Sequence, residues 1–278
     1  MADPLPPPHI VDSPSCTAEV HDQGAQVVRW APAGADPVLY VSTTARFEGG
    51  RPIRGGVPVC WPWFGPGRDG GMEPAHGFVR VAAWELVDRA DDGDDVVLTH
   101  RLTQAAASSR LWPHPYVLEL RSRLGAALEL TLTTTNTGDS PIDVEEALHA
   151  YLVVGDIRET TLHGMAGKPF YDKVTGAERV QVGHVTFGGE TDAVFRTSDP
   201  VVVDDPVLGR RLVVSTEGAG NVVVWNPWAE KAAEVPDIGD DDWTGFVCVE
   251  GANALENTVI VDPGESHTMT YRVEVQAR

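Results

Sequence analysis

Between Ala127 and Thr135, Leu128, Leu130 and Leu132 alternate with Glu129, Thr131 and Thr133. A period of two marks a strand with one dry and one wet face. Similar short runs recur at 18–30, 37–43, 79–87, 96–102, 117–124, 142–154, 246–250, 258–261 and 268–275. In the last, Met269, Tyr271, Val273 and Val275 alternate. Turn clusters such as Asp22-Gln23-Gly24, Gly34-Ala35-Asp36 and Asn136-Thr137-Gly138-Asp139 separate the runs. Hairpins are expected across Asp91–Asp95 and, between Leu212–Ser215 and Asn221–Trp225, across Thr216–Gly220. Helix is expected only as a turn or two within residues 104–111, ended by Trp112-Pro113-His114-Pro115. The fold class is therefore all-β, a large antiparallel β-sandwich or barrel. No linker, charge run or repeat divides the chain, and all-β domains of 278 residues occur as single units. We read residues 15–278 as one domain and the proline-rich residues 1–14 as flexible or draped over it.

The stretch from Arg51 to Arg80 breaks the pattern. It holds five prolines and seven glycines, so neither a helix nor a long strand fits. It also holds Trp61, Trp63 and Phe64, which resist exposure to water. A long loop with aromatics and arginines is either a functional loop or a rigid cap on a sheet.

Net charge is −20, from 21 basic and 41 acidic residues. That argues against nucleic acid or an anionic membrane as partner. An anionic ligand would need a locally positive site. Cys16, Cys60 and Cys248 form neither a zinc spacing nor a disulfide framework, which fits a reducing, cytoplasmic setting. The N-terminus lacks the charged and apolar regions of a signal peptide, and no apolar run reaches membrane-spanning length. The run Asp91-Asp92-Gly93-Asp94-Asp95 lacks calcium-loop spacing and reads as a solvated turn. No G-x-S-x-G, phosphate-binding glycine loop or H-E-x-x-H motif is present.

Individual side chains carry weaker signals. His149, in EEALHAYLVV, shares a strand face with Ala147 and Tyr151. Such a histidine is more often a bonded core residue than a catalyst. Glu250 ends the apolar run GFVCVEG; it either emerges into solvent or is a buried carboxylate with a task. Asp192 in GETDAVF is unremarkable alone. Arg54 and Arg80 flank the central loop, as surface charges or as a fork for phosphate or carboxylate. His76 and His149 have the means to meet in space, without a metal spacing.

Together, IRGGVPVCWPWFGP, PAHGFVR, ALHAYLVVGDI, FYDKVTGA, ETDAVF, VVVWNPWAEKA and FVCVE, in this order, resemble the hexose-6-phosphate mutarotases, the glucose-6-phosphate 1-epimerase branch of the aldose 1-epimerase family. The resemblance spans about Arg51 to Glu250. It implies a galactose-mutarotase-like supersandwich, an isomerase acting on a phosphorylated hexose, no cofactor, no metal, and a monomer or loose dimer. It implies His149 as general acid, Glu250 as general base, Asp192 on sugar hydroxyls, Arg54 and Arg80 on the phosphate, and His76 as a further contact. Two departures stand out: Val194-Phe195 after TDA, where relatives carry a hydroxyl-bearing aromatic, and Ala75 before His76, where some carry glutamine. The implied chemistry is ring opening and closure at the anomeric carbon, with acid and base on opposite sides of the ring. Trp61, Trp63 and Trp225 are candidates for a flat face against the sugar. A non-catalytic carbohydrate-binding sandwich and a glycoside hydrolase using Glu250 with Asp192 remain alternatives at this level.

Overall fold

The computed structural model describes residues 3–104 and 110–278. The helical turn expected within 104–111 falls largely outside them. The chain is an antiparallel β-sandwich. One sheet has nine strands, the other eight, with smaller three- and two-stranded sheets at the side. Among the described residues, helix is confined to the five-residue Trp228–Ala232 and short 3-10 turns. None is long and apolar enough to cross a membrane.

Alternation places the core where the sequence put it. In Ala127–Asn136, Leu128, Leu130 and Leu132 are fully buried. Met269, Tyr271 and Val273 face them from the neighbouring Ser266–Ala277 strand, while Val275 is only half-buried. The eight-stranded sheet contributes Leu148, Val222, Val224, Val247 and Val249 to the same core. Its alternate residues, including Cys60, Ala147, Val194, Val223 and Ala252, form a second, separate cluster. This sheet is thus apolar on both faces, and its outer face is covered by the central loop and neighbouring segments rather than by the partner sheet.

Several boundaries differ from expectation. Leu212–Ser215 and Asn221–Trp225 are not a hairpin. The first lies in the nine-stranded sheet between Val201–Asp205 and Ser266–Ala277; the second lies in the eight-stranded sheet between Thr191–Phe195 and Phe246–Asn253. The turn at Gly218 carries the chain from one layer to the other. The 79–87 run is a 3-10 turn, Val79–Val81, before a strand that starts at Glu85. There the backbone bonds run sideways, from Gly24 N–H to Ala82 O and from Trp84 N–H to Asp22 O. Residues 37–43 make only isolated bridges, Leu39 with Leu152 and Val41 with Gly55. The N-terminal segment, expected to be flexible, is partly a strand: His9–Asp12 pairs with Cys16–His21, and Val11 is buried. The 142–154 run is three short strands, interrupted at His149-Ala150.

The central loop is a rigid cap. Trp61 is fully buried, and Trp63 nearly so. Trp61 packs edge-on to Trp112 at 4.7 Å. Both are core residues, not sugar platforms. Glu145 clamps the loop: its carboxylate accepts from Phe64 N–H and from Leu255 N–H, each at 3.0 Å. Gly77, at φ +72°, lies so close to Trp61 that a β-carbon would sit 1.8 Å from the tryptophan carbonyl oxygen. Only glycine permits that approach.

Candidate active site

Four strands of the eight-stranded sheet set the floor. In Phe246–Asn253, Cys248 and Glu250 point to the outer face, opposite Trp225 and Val223 of the next strand. Trp225 in turn sits opposite Asp192. Tyr151 lies opposite Cys248 from the other side. The chain break at His149 turns its N–H to Pro58 O at 3.0 Å, so the imidazole leaves the ladder and lies over Tyr151. The two rings stack at 4.8 Å and 8°.

His149 and Glu250 therefore meet. His149 Nδ1 lies 3.4 Å from Glu250 Oε1. Glu250 is 1% exposed and His149 8%. Among the described residues, neither His149 Nδ1 nor Glu250 Oε2 has a hydrogen-bond partner. A buried, unpaired polar atom is costly unless it is kept for a task. Both groups are displaced from their ordinary titration. Burial, then His76, Arg54 and Arg80, hold His149 well below the usual imidazole value. Burial and the Asp192 carboxylate push Glu250 well above the usual carboxyl value, against the pull of Lys173. At 3.4 Å the two groups are within reach of one proton, and both displacements favour a neutral carboxyl beside a neutral imidazole.

The rim is half-exposed and charged. Arg54 donates from Nε and Nη2 to Asp237 Oδ1, at 3.1 and 3.0 Å, and from Nη1 to the Tyr151 hydroxyl at 3.0 Å. Three of its five N–H groups are thus committed, and one on each terminal nitrogen is left for a ligand. Arg80 donates from Nη2 to the Ala75 carbonyl at 2.7 Å. Asp192 pairs with Lys173 at 3.1 Å, and the Lys173 N–H bonds back to the Asp192 carbonyl. Lys173 also sits 5.3 Å from the centre of the Phe64 ring. His76 takes a left-handed backbone, φ +65°, and its Nδ1 accepts from Gly65 N–H at 3.3 Å. Its ring meets His149 edge-on at 5.7 Å. Burial, with Arg80, Lys173 and Arg54, lowers its pKa to about 3, so it stays neutral.

All six side chains singled out in the sequence are connected to this neighbourhood by contacts or by electrostatic influence. One geometric expectation changes: His149 and Glu250 are side by side at 3.4 Å, not across a sugar-sized gap. Sequence reasoning missed Lys173, Tyr151 and Asp237. Lys173 and Tyr151 lie inside the quoted segments FYDKVTGA and ALHAYLVVGDI, which was the available signal; Asp237 had none. Of the three tryptophans, Trp225 is at the site, its ring 6.0 Å from His149. Cys60 and Cys248 line the same face as buried thiols; burial pushes Cys60 up to about 12, so neither is a nucleophile.

The profile of the aldose 1-epimerase family matches residues 9–274. The chain belongs to this family. It is an isomerase of that class. It is 38% identical over 261 residues to the "Putative glucose-6-phosphate 1-epimerase" of Escherichia coli (strain K12), covering 93% of this chain and 87% of the relative. A protein of the same description from Cenchrus ciliaris is 32% identical, with 90% and 79% covered. The crystal structure of a "putative mutarotase (YeaD)" from Salmonella typhimurium superposes with a TM-score of 0.90 at 33% identity, over 97% of this chain and 90% of that one.

Proposed function

We propose that this isomerase interconverts the α and β anomers of a hexose 6-phosphate, glucose 6-phosphate foremost, with Glu250 and His149 exchanging protons at the anomeric centre. The observation that carries the reading is the buried imidazole–carboxyl pair, 3.4 Å apart, with Arg54, Arg80 and Lys173 acting on it electrostatically. Anomerisation moves one proton off the anomeric oxygen and one onto the ring oxygen. Both oxygens are bonded to the same carbon, so two adjacent groups are able to serve them. In the productive form Glu250 is ionised and His149 protonated. Glu250 takes the anomeric hydroxyl proton, the C1–ring-oxygen bond breaks as the carbonyl forms, and His149 protonates the ring oxygen. The C1–C2 bond rotates, and closure runs the same transfers backward.

Opening leaves Glu250 protonated and His149 neutral, the state that burial favours. The pair thus stabilises the open-chain stage and must be tipped toward the ionised form at the start. A phosphate dianion between Arg54 and Arg80 does this by offsetting two of the charges that depress His149. Asp192, held by Lys173, is placed to accept from sugar hydroxyls, and neutral His76 is placed to contact the substrate. The fit to a glycoside hydrolase is weaker, because the adjacent pair of Glu250 is an imidazole rather than a second acid across a scissile bond. Three buried, unpaired thiols fit a reducing, cytoplasmic setting.

The test is His149→Asn assayed by exchange NMR on glucose 6-phosphate, which resolves enzymatic from spontaneous anomerisation. A loss of about 10²–10⁴-fold in kcat is expected, with an unchanged fold by circular dichroism. A near wild-type rate removes His149 from the reaction.

A further inference from the structure

Far from the epimerase pair, three other ligand-type side chains converge. His9 opens the His9–Asp12 strand, Asp22 follows the Cys16–His21 strand, and His100 lies within Asp95–Thr103 of the nine-stranded sheet. His9 Nε2 is 2.7 Å from Asp22 Oδ1, and His100 Nε2 is 3.3 Å from the same oxygen. The three ligand atoms all lie within 4.8 Å of one another. Nothing in the isomerase chemistry uses them. We propose that His9 Nε2, Asp22 Oδ1 and His100 Nε2 form a divalent-metal site of the zinc type that ties the N-terminal strand to the nine-stranded sheet.

The donor set is right for such an ion: two imidazoles and a carboxylate, with His9 and Asp22 partly open to solvent, which would complete four-coordination. Bonds of about 2.0–2.1 Å in a tetrahedron set ligand atoms roughly 3.3 Å apart. The His100–Asp22 separation already has that value; His9 must move, lengthening its 2.7 Å separation from Asp22 by about half an ångström while coming to the same distance from His100, which lies within 4.8 Å. His9 is only half-buried and near the chain end, so it has room to do so. Asp22 is fixed from behind, its carbonyl accepting from Trp84 N–H at 2.8 Å and Ala25 N–H at 3.2 Å. His100 is wholly buried, which holds its ring in place toward Asp22. An imidazole that ligates through Nε2 carries its N–H on Nδ1, so the ion takes the place that the Nε2 proton holds on Asp22. The chain's net charge of −20 favours any cation.

Among the described residues His100 Nδ1 has no partner, so the ligand lacks the usual outer hydrogen bond. Loss of such a bond weakens metal sites by about 10–100-fold. The experiment is titration of the tag-free, metal-stripped full chain with Zn²⁺ by calorimetry and with Co²⁺ by visible absorption. We expect one ion per chain and a Co²⁺ band of low-coordinate type. His9→Ala and Asp22→Asn should each weaken binding roughly tenfold or more, while anomerase activity is unchanged. Both substitutions avoid the wholly buried His100, whose loss risks the fold. A control is His184→Ala, because His163 and His184, with rings 4.1 Å apart, are the competing surface pair. Absence of saturable binding at about 100 μM ion, or loss of affinity in His184→Ala in place of His9→Ala, overturns the proposal.

Discussion

Glu250→Gln separates charge from shape. The side chain is 1% exposed, its Oε2 has no partner, and burial already holds the carboxyl in its protonated form. A glutamine copies that form almost atom for atom, and its amide can donate to His149 Nδ1, 3.4 Å from the oxygen it replaces. The fold should therefore survive, and the proton exchange should not. Loss of one acid–base group is worth about 10²–10⁴-fold, or roughly 2.7–5.5 kcal/mol of barrier. Stability gives an independent readout. An unfolded glutamate ionises near 4.5, whereas the folded one keeps its proton to a higher pH. A raised folded pKa contributes stability that is full below 4.5 and is lost as pH rises toward the folded value. The wild type should thus lose ground to the variant as pH rises, by at most about 1.4 kcal/mol per pH unit in that window. The assay is exchange NMR for rate, with urea unfolding at pH 5 and pH 9 for stability. A variant within tenfold of the wild-type rate, or parallel stability curves, refutes the reasoning.

Three further outcomes follow from the same geometry. Arg80→Ala should raise KM for glucose 6-phosphate by about 10–150-fold, since a charge-assisted bond is worth roughly 1.5–3 kcal/mol; free glucose should change by less than about threefold, and equal effects on both exclude phosphate reading. Arg54→Ala should act likewise but also unsettle Asp237 and Tyr151, so kcat should fall with it. Lys173→Met removes the cation that restrains Glu250, so the alkaline limb of the pH–rate profile should move upward and kcat should drop, with Lys173→Arg restoring both; an unmoved limb removes Lys173 from the site's electrostatics. Gly77→Ala should destabilise by about 3 kcal/mol or more in urea, because a β-carbon 1.8 Å from a carbonyl oxygen forces the loop off Trp61; a loss under 1 kcal/mol means the loop yields easily.

The sandwich was legible because alternation is a local property: Leu128, Leu130 and Leu132 announce a dry face without knowledge of what covers it. What failed was non-local. Arg210–Glu217 and Asn221–Asn226 look like hairpin arms, and only the sheet partners of each show that Gly218 joins two layers. Val79–Val81 has strand composition, yet its backbone bonds close a local turn, Val81 N–H to Phe78 O and Ala82 N–H to Val79 O. At the site, the two tryptophans of the central loop turned inward because indoles bury more area than a loop surface can cover. Trp225 stayed outside because its strand alternates it onto the face of Glu250. The spacing of His9, Asp22 and His100 carries no motif at all. Only pairing of the N-terminal strand with its neighbour brings the first within reach of the last.

For a chain of net charge −20, the proposed binding of a sugar phosphate poses an electrostatic problem, and selective pairing at the site answers it. Arg54 is matched by Asp237, and Lys173 by Asp192. Arg80 is bonded only to a neutral carbonyl among the described residues. The Glu250–His149 pair with one proton is neutral in either arrangement. The local sum is therefore one positive charge, from Arg80, in a strongly negative molecule. An anion entering here finds a single uncompensated guanidinium on Arg80, while Arg54 keeps spare N–H groups. Its own charge then falls on His149, the group that Arg54 and Arg80 depress. Binding and proton placement are the same event in this arrangement. Free glucose lacks the anion that moves the proton to the imidazole, so its penalty should appear in kcat as well as in KM.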